Sequence, residues 1–432
     1  MCQNINSLFY KVITTNNLKT PRTLKNSIIN GFFKFHFSTK TLITFNKSSE
    51  HEQSIINKNQ MYDKDNTKNL KDLLDNAATF VDQVPANEEN RWSTTPYLQG
   101  SIPRNQSHHS LRPRVNPNET SIILFPGEGS QYVGMGKELL KFPSCRDLFE
   151  IANEILKFNL MKLCLQGPNS ELNKTTAAQL SILVTSLAAI ERLKEERPSA
   201  IENCIATAGF GVGELAALVF AGVLKFERAV RLTQLRGEAM QMASDLAPGG
   251  MMTVLYGPSS KLGYALLKAK ESAIAAGVDK PRCSIAKYLF PHCKVIAGNK
   301  ECLDYIEQNK DEYKLNQVRR LSVSGAFYSD LMRPAAEPFK KALLKSNLEE
   351  PIIAVHSTCD GKRYKGVEHI KKQLPKQMYN PIRWEQLLHV LYERPIGENF
   401  PATYECGPGN SLKDILKMVN AKAWSSCNGV IV

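Results

Sequence analysis

Between Cys204 and Phe220 the chain reads CIATAGFGVGELAALVF, and no other stretch limits the fold as severely. An apolar run of strand length meets a turn with glycine at every second position, then passes straight into an apolar helix-forming segment. A chain that swings from strand to helix in so few residues forces its apex to positive φ. That costs a residue with a Cβ on the order of 1 kcal/mol or more, and glycine almost nothing. Enzymes that place a serine or cysteine at such an apex expose its side chain over a helix N-terminus, facing the amide of the next residue. Here the apex is Gly211. The turn is kept and the hydroxyl is gone.

A second apolar run of strand length, SIILFPG, starts at Ser121 and is closed by Pro126-Gly127. Helical periodicity follows in GMGKELLKF, CRDLFEIANEILKF and AAQLSILVTSLAAIERLKEE before the strand NCIATA. Strand, helices, strand and helix in that order predict parallel strands joined by helical crossovers: an α/β fold with a hydrolase-like layered parallel sheet. Ligands on such sheets sit at the carboxyl ends of strands, so FPGEGSQ and GFGVGE are expected to face one cleft. Over 251–321 the pattern changes to strand, helix, two strands, helix and strand, which reads as an inserted ferredoxin-like subdomain. The α/β domain then comprises 119–250 and 322–425, resuming with helix MRPAAEPFKKALLKS, strand IIAVHST, helices EHIKKQLPKQM and WEQLLHVLYER, strand ATYECGPG and helix SLKDILKMV.

The formal charge of +13 is not a nucleic-acid footprint. Residues 1–49 hold seven Lys or Arg and no Asp or Glu, so about half the excess lies in one acid-free leader, and the rest is spread through mixed-sign helices. A basic, acid-free leader rich in Asn, Thr and Ser reads as an organelle transit peptide over 1–48. A polar linker with a short helix is expected over 49–118. No run of 18 apolar residues is available to span a bilayer. The ten cysteines include no C-x-x-C pair, and with apolar neighbours they read as reduced core residues; no metal site is expected.

From about 120 to 425 the chain resembles the malonyl-CoA:acyl carrier protein transacylase family, especially its mitochondrial members. Where that family carries G-Q-G-S-Q, this chain has Gly127-Glu128-Gly129-Ser130-Gln131; where it carries G-[HF]-S-x-G-E, this chain has Gly209 to Glu214. RLTQLRGEAMQ, VSGAFYSDLMRPA, KQMYNPIRW and YECGPG resemble further family segments. The resemblance implies that Arg236 grips the malonyl carboxylate, that Gln377 helps to orient the catalytic histidine, and that the backbone amides of Glu128 and Val212 hold the oxyanion. It also implies malonyl-CoA and acyl carrier protein as partners, no cofactor, and a place in the mitochondrial matrix, with 1–48 as a mitochondrial transit peptide. The family reaction passes the malonyl group from CoA to serine, deprotonated by histidine, and from serine to the carrier thiol.

Four departures from the family pattern cluster in the site. Gly211 stands for the serine, Tyr328 for the histidine, Glu128 for a glutamine and Lys287 for an asparagine. A phenol with an ordinary pKa of about 10 is a poor base near neutrality. Cys204 lies inside the strand, and none of the eight histidines falls at the base position. The expectation is a transacylase homologue of mitochondrial fatty acid synthesis that binds without turning over. The alternative is an active malonyltransferase with an unorthodox mechanism. For Arg236 a pocket role is set against a helix-surface ion pair with Glu238 or Asp245.

Overall fold

The computed structural model describes residues 116–395 and 397–432. The leader expected over 1–48, and the linker with its short helix up to residue 115, lie outside the described residues.

In chain order the principal elements begin with β1 (Ser121–Phe125), α1 (Pro143–Leu156), α2 (Thr175–Glu196), β2 (Cys204–Gly209), α3 (Gly213–Phe220) and α4 (Phe226–Leu246). Next come β3 (Gly249–Tyr256), α5 (Leu262–Ala275), β4 (Cys283–Phe290), β5 (Cys293–Asn299), α6 (Lys300–Gln308) and β6 (Leu315–Arg320). The chain continues with α7 (Arg333–Leu344), β7 (Ala354–His356), β8 (Ile382–Arg383), α8 (Trp384–Tyr392), β9 (Ala402–Glu405), α9 (Ser411–Val419) and β10 (Cys427–Gly429).

One sheet is wholly parallel, in the order β10-β9-β1-β2-β7. Its middle strand β1 is buried at every residue, as a continuous apolar run covered on both faces must be. Helix α2 is buried without a break from Ala178 to Ile190, so it lies within the core and not on a surface. The second sheet runs β6-β3-β5-β4-β8, antiparallel except where β8 joins β4 in parallel. Helices α5 and α6 pack on it through Ala265, Ala269, Leu303 and Ile306, against Met252, Val254 and Ile296.

Some local readings shift. GMGKELLKF forms turns and one 3-10 turn at Leu139–Lys141, because Phe142 is extended and Pro143 opens α1. EHIKKQLPKQM starts as a helix at Val367–Gln373 and tightens to a 3-10 turn over Leu374–Met378, where Pro375 has no N–H to continue the ladder. Strand β8, though short, positions the cleft: its pairing of Ile382 with Lys287 ties the segment after Gln377 to the second sheet.

Candidate active site

Phe125 and Gly209 are register partners, so β1 and β2 end side by side, and the Phe210 N–H donates to the Phe125 carbonyl at 2.8 Å. A Cβ on Gly209 would overlap the backbone of Gly213 and Glu214, and this close approach lets α3 start directly above the sheet. Gly211 holds the apex at φ 60°. Val212 is the N-cap of α3, so its N–H lies outside the helical ladder. Gly127 packs on the Phe210 backbone and brings Glu128 to the same turn.

Tyr328 arrives from the segment between β6 and α7. Its φ of 59° is a left-handed conformation that costs a side-chain-bearing residue roughly 1–2 kcal/mol. Burial and a 3.1 Å hydrogen bond from its N–H to the Met378 carbonyl hold it there. The phenol lies over the elbow: its hydroxyl would overlap any Cβ placed on Gly211, and its ring Cζ is 3.4 Å from that point. Burial raises the phenol above its ordinary pKa, while the positive charge of the neighbouring Arg236 acts in the opposite direction.

Arg236, on the inner face of α4, is only 1% exposed. Its Nη1 donates to Gln179 Oε1 at 2.6 Å and its Nη2 to Gln377 Oε1 at 2.9 Å. The helix-surface ion pair is not formed: Glu238 accepts from Gln234 at 3.0 Å and Asp245 from Gln241 at 2.9 Å, each one turn back. Gln377 in turn donates its Nε2 to the Gly211 carbonyl at 2.8 Å and to Glu214 at 2.6 Å. It approaches Tyr328 through the backbone, one residue before the carbonyl of Met378. Gln179 donates to Glu128 Oε2 at 3.2 Å. Five side chains therefore form one relay, Glu128 to Gln179 to Arg236 to Gln377 to Glu214, running beneath the elbow.

The charges in this relay are strained by burial. Burial raises the Glu128 carboxyl to about 7, against the lowering influence of Arg236, Lys287 and Gln179. Lys287, 3% exposed on β4, is lowered by burial to about 8, with Glu128 opposing. Its ammonium stands 5.2 Å from the Phe210 ring centroid and 5.3 Å from that of Tyr328, within range of cation–π attraction. Glu214 is fully buried and raised, although Thr358, Tyr364 and Gln377 all donate to it.

All four departures therefore meet at one place. Cys204 does not join them: its thiol sits in β2, raised by burial to about 12. The sequence reading missed Gln179, Glu214, Thr358 and Tyr364. The available signal was Gln179 itself, an amide among the buried residues of a core helix, where a polar group must find partners.

The elbow thus keeps its apex over a helix N-terminus beside a buried guanidinium, and the apex itself carries no side-chain oxygen or sulfur. Residues 122–395 match the acyl transferase domain, and the chain belongs to that family. Within it the chain is 51% identical over 346 residues to the Drosophila melanogaster protein named probable malonyl-CoA-acyl carrier protein transacylase, mitochondrial, spanning 78% of this chain and 91% of that one. The Homo sapiens malonyl-CoA-acyl carrier protein transacylase, mitochondrial, is 44% identical over 319 residues, 74% of this chain and 82% of its own. Among solved structures, a malonyl-transacylase in complex with a type II polyketide acyl-carrier protein superposes with TM-score 0.63 at 30% identity, over 72% of this chain and 96% of that chain. The malonyl-CoA:acyl carrier protein transacylase of Xanthomonas oryzae does so with TM-score 0.65 at 27% identity, over 73% and 95%.

Proposed function

We propose that this chain is a mitochondrial malonyl-CoA:acyl carrier protein transacylase homologue that binds malonyl-CoA and an acyl carrier protein in the matrix without transferring the malonyl group. The observation that carries this reading is the pairing at the elbow: Gly211 offers no oxygen, and the Tyr328 phenol fills the space that a side chain there would need. Loss of nucleophile or base alone costs a serine hydrolase about 10^6 in turnover. Here both are replaced. What survives is the binding apparatus: a buried guanidinium suited to a carboxylate, and amides at the turn that substitution of side chains leaves in place. The relatives named as mitochondrial transacylases support a mitochondrial location and the ligand, and the complex of a related transacylase with its carrier protein supports the partner.

The test is transfer of labelled malonyl from malonyl-CoA to acyl carrier protein by the natural chain, by G211S, by Y328H and by the double variant. Only the double variant is expected to transfer label. Transfer by the natural chain would overturn the reading. An unorthodox transferase working through the phenol above the elbow predicts label on Tyr328; burial raises that phenol's pKa, which disfavours the phenolate such a mechanism requires.

A further inference from the structure

The guanidinium of Arg236 is buried, and the two groups that accept from it, the side-chain amides of Gln179 and Gln377, are neutral. A buried cation needs an anion to offset its desolvation. The relay supplies a carboxylate at a single remove on each side: Gln179 accepts from Arg236 through Oε1 and donates to Glu128 through Nε2, and Gln377 does the same toward Glu214, which burial raises although Thr358, Tyr364 and Gln377 donate to it. Glu128 thus already draws on the charge that an entering carboxylate would use. Two carboxylates sharing one cationic pocket repel each other unless one is protonated.

On the reading that the cleft binds malonyl-CoA, we propose that Glu128 sets its acyl selectivity: a malonyl carboxylate is held at Arg236 only when Glu128 carries a proton, whereas an uncharged acyl group is indifferent to that proton. The groups facing Glu128 are Gln179 from α2, Arg236 from α4, Lys287 from β4 and, across the elbow, Tyr328. Glu128 is raised to about 7 and Lys287 lowered to about 8, so the carboxyl is the group that titrates between pH 6 and 8 while Lys287 keeps most of its charge until the upper end. Protonation removes the resident negative charge and leaves both cations for the ligand. Selectivity for malonyl over acetyl therefore rises as pH falls through the Glu128 pKa.

The experiment measures affinities of malonyl-CoA and acetyl-CoA for the full chain and for E128Q at pH 6 and pH 8.5. In the natural chain the malonyl-to-acetyl preference is expected to be about thirtyfold greater at the lower pH; in E128Q, where only Lys287 titrates, it shifts by about fourfold or less. A second measurement needs no variant: calorimetry in buffers of different ionisation enthalpy should show proton uptake at pH 7, where Lys287 is already protonated and Glu128 is half-ionised, with malonyl-CoA and none with acetyl-CoA. A preference independent of pH, an equal slope in E128Q, or no proton uptake overturns the assignment while leaving the binding reading intact. Failure of both esters to bind defeats the binding reading itself, and the assignment with it.

Discussion

The hydroxyl of Tyr328 stands where the Cβ of any residue other than glycine at position 211 would have to be. The two replacements are therefore a matched pair in space. A serine at Gly211 alone meets both the left-handed backbone, φ 60°, and the phenol.

The coupling is measurable. G211S alone is expected to destabilise the fold by about 2–3 kcal/mol, from backbone strain plus overpacking. Histidine at position 328 frees the volume of the phenol, so G211S/Y328H should be more stable than the sum of the single changes by about 1 kcal/mol or more. Urea unfolding of the four proteins gives the cycle, and strict additivity would mean that the phenol moves aside at no cost.

Arg236 bridges two amide side chains that both point inward. R236A leaves the carbonyls of Gln179 and Gln377 without their donor, with an expected loss of about 2–4 kcal/mol. R236K keeps the charge but not the planar fork, and should recover less than half of that loss. Thermal melting of the three proteins checks the order.

Glu385 gives the fold a pH dependence separate from the cleft. It is fully buried near the N-terminus of α8, neither of its carboxylate oxygens has a hydrogen-bond partner, and burial raises it to about 8 against the attraction of Lys294. With the folded pKa above the unfolded one, the native state binds more protons between pH 4.5 and about 8, so this group makes stability fall as pH rises through that window. Lys294, lowered to about 8, acts in the other direction and in the window above, up to 10.5. E385Q should therefore gain on the order of 2–4 kcal/mol over the natural chain at pH 8 and little at pH 5. Equal differences at both pH values would contradict the assignment.

Cys204 is the nearest candidate for a substitute nucleophile on β2, and burial holds its thiol at about 12. A thiol that far above neutrality has almost no thiolate. Native protein at pH 7.5 is expected to leave Cys204 unalkylated by iodoacetamide, with full reaction only after unfolding; rapid native labelling would reopen its candidacy.

The elbow was legible because glycine at every second position between a strand and a helix leaves the backbone little choice, and β1 because four of its five buried residues, Ile122 to Phe125, form an unbroken apolar run. The relay was not. Gln179 and Gln377 lie 57 and 141 residues from Arg236 along the chain, each on a separate element, and only packing brings their amides to one guanidinium. Strand β8 is two residues long and follows Asn380-Pro381, too short for any period to register. β10 carries Asn and Gly, poor strand formers, and exists only because β9 offers it an edge.

If the cleft binds without reacting, no side chain in it forms a covalent bond to the malonyl group. Intact-protein mass spectrometry after incubation of the natural chain with malonyl-CoA decides the matter, with G211S/Y328H as the positive control. The expected result is an unmodified mass for the natural chain and an acid-stable malonyl adduct on the double variant. A stoichiometric adduct on the natural chain, mapped to any residue of the elbow, would contradict a binding-only role.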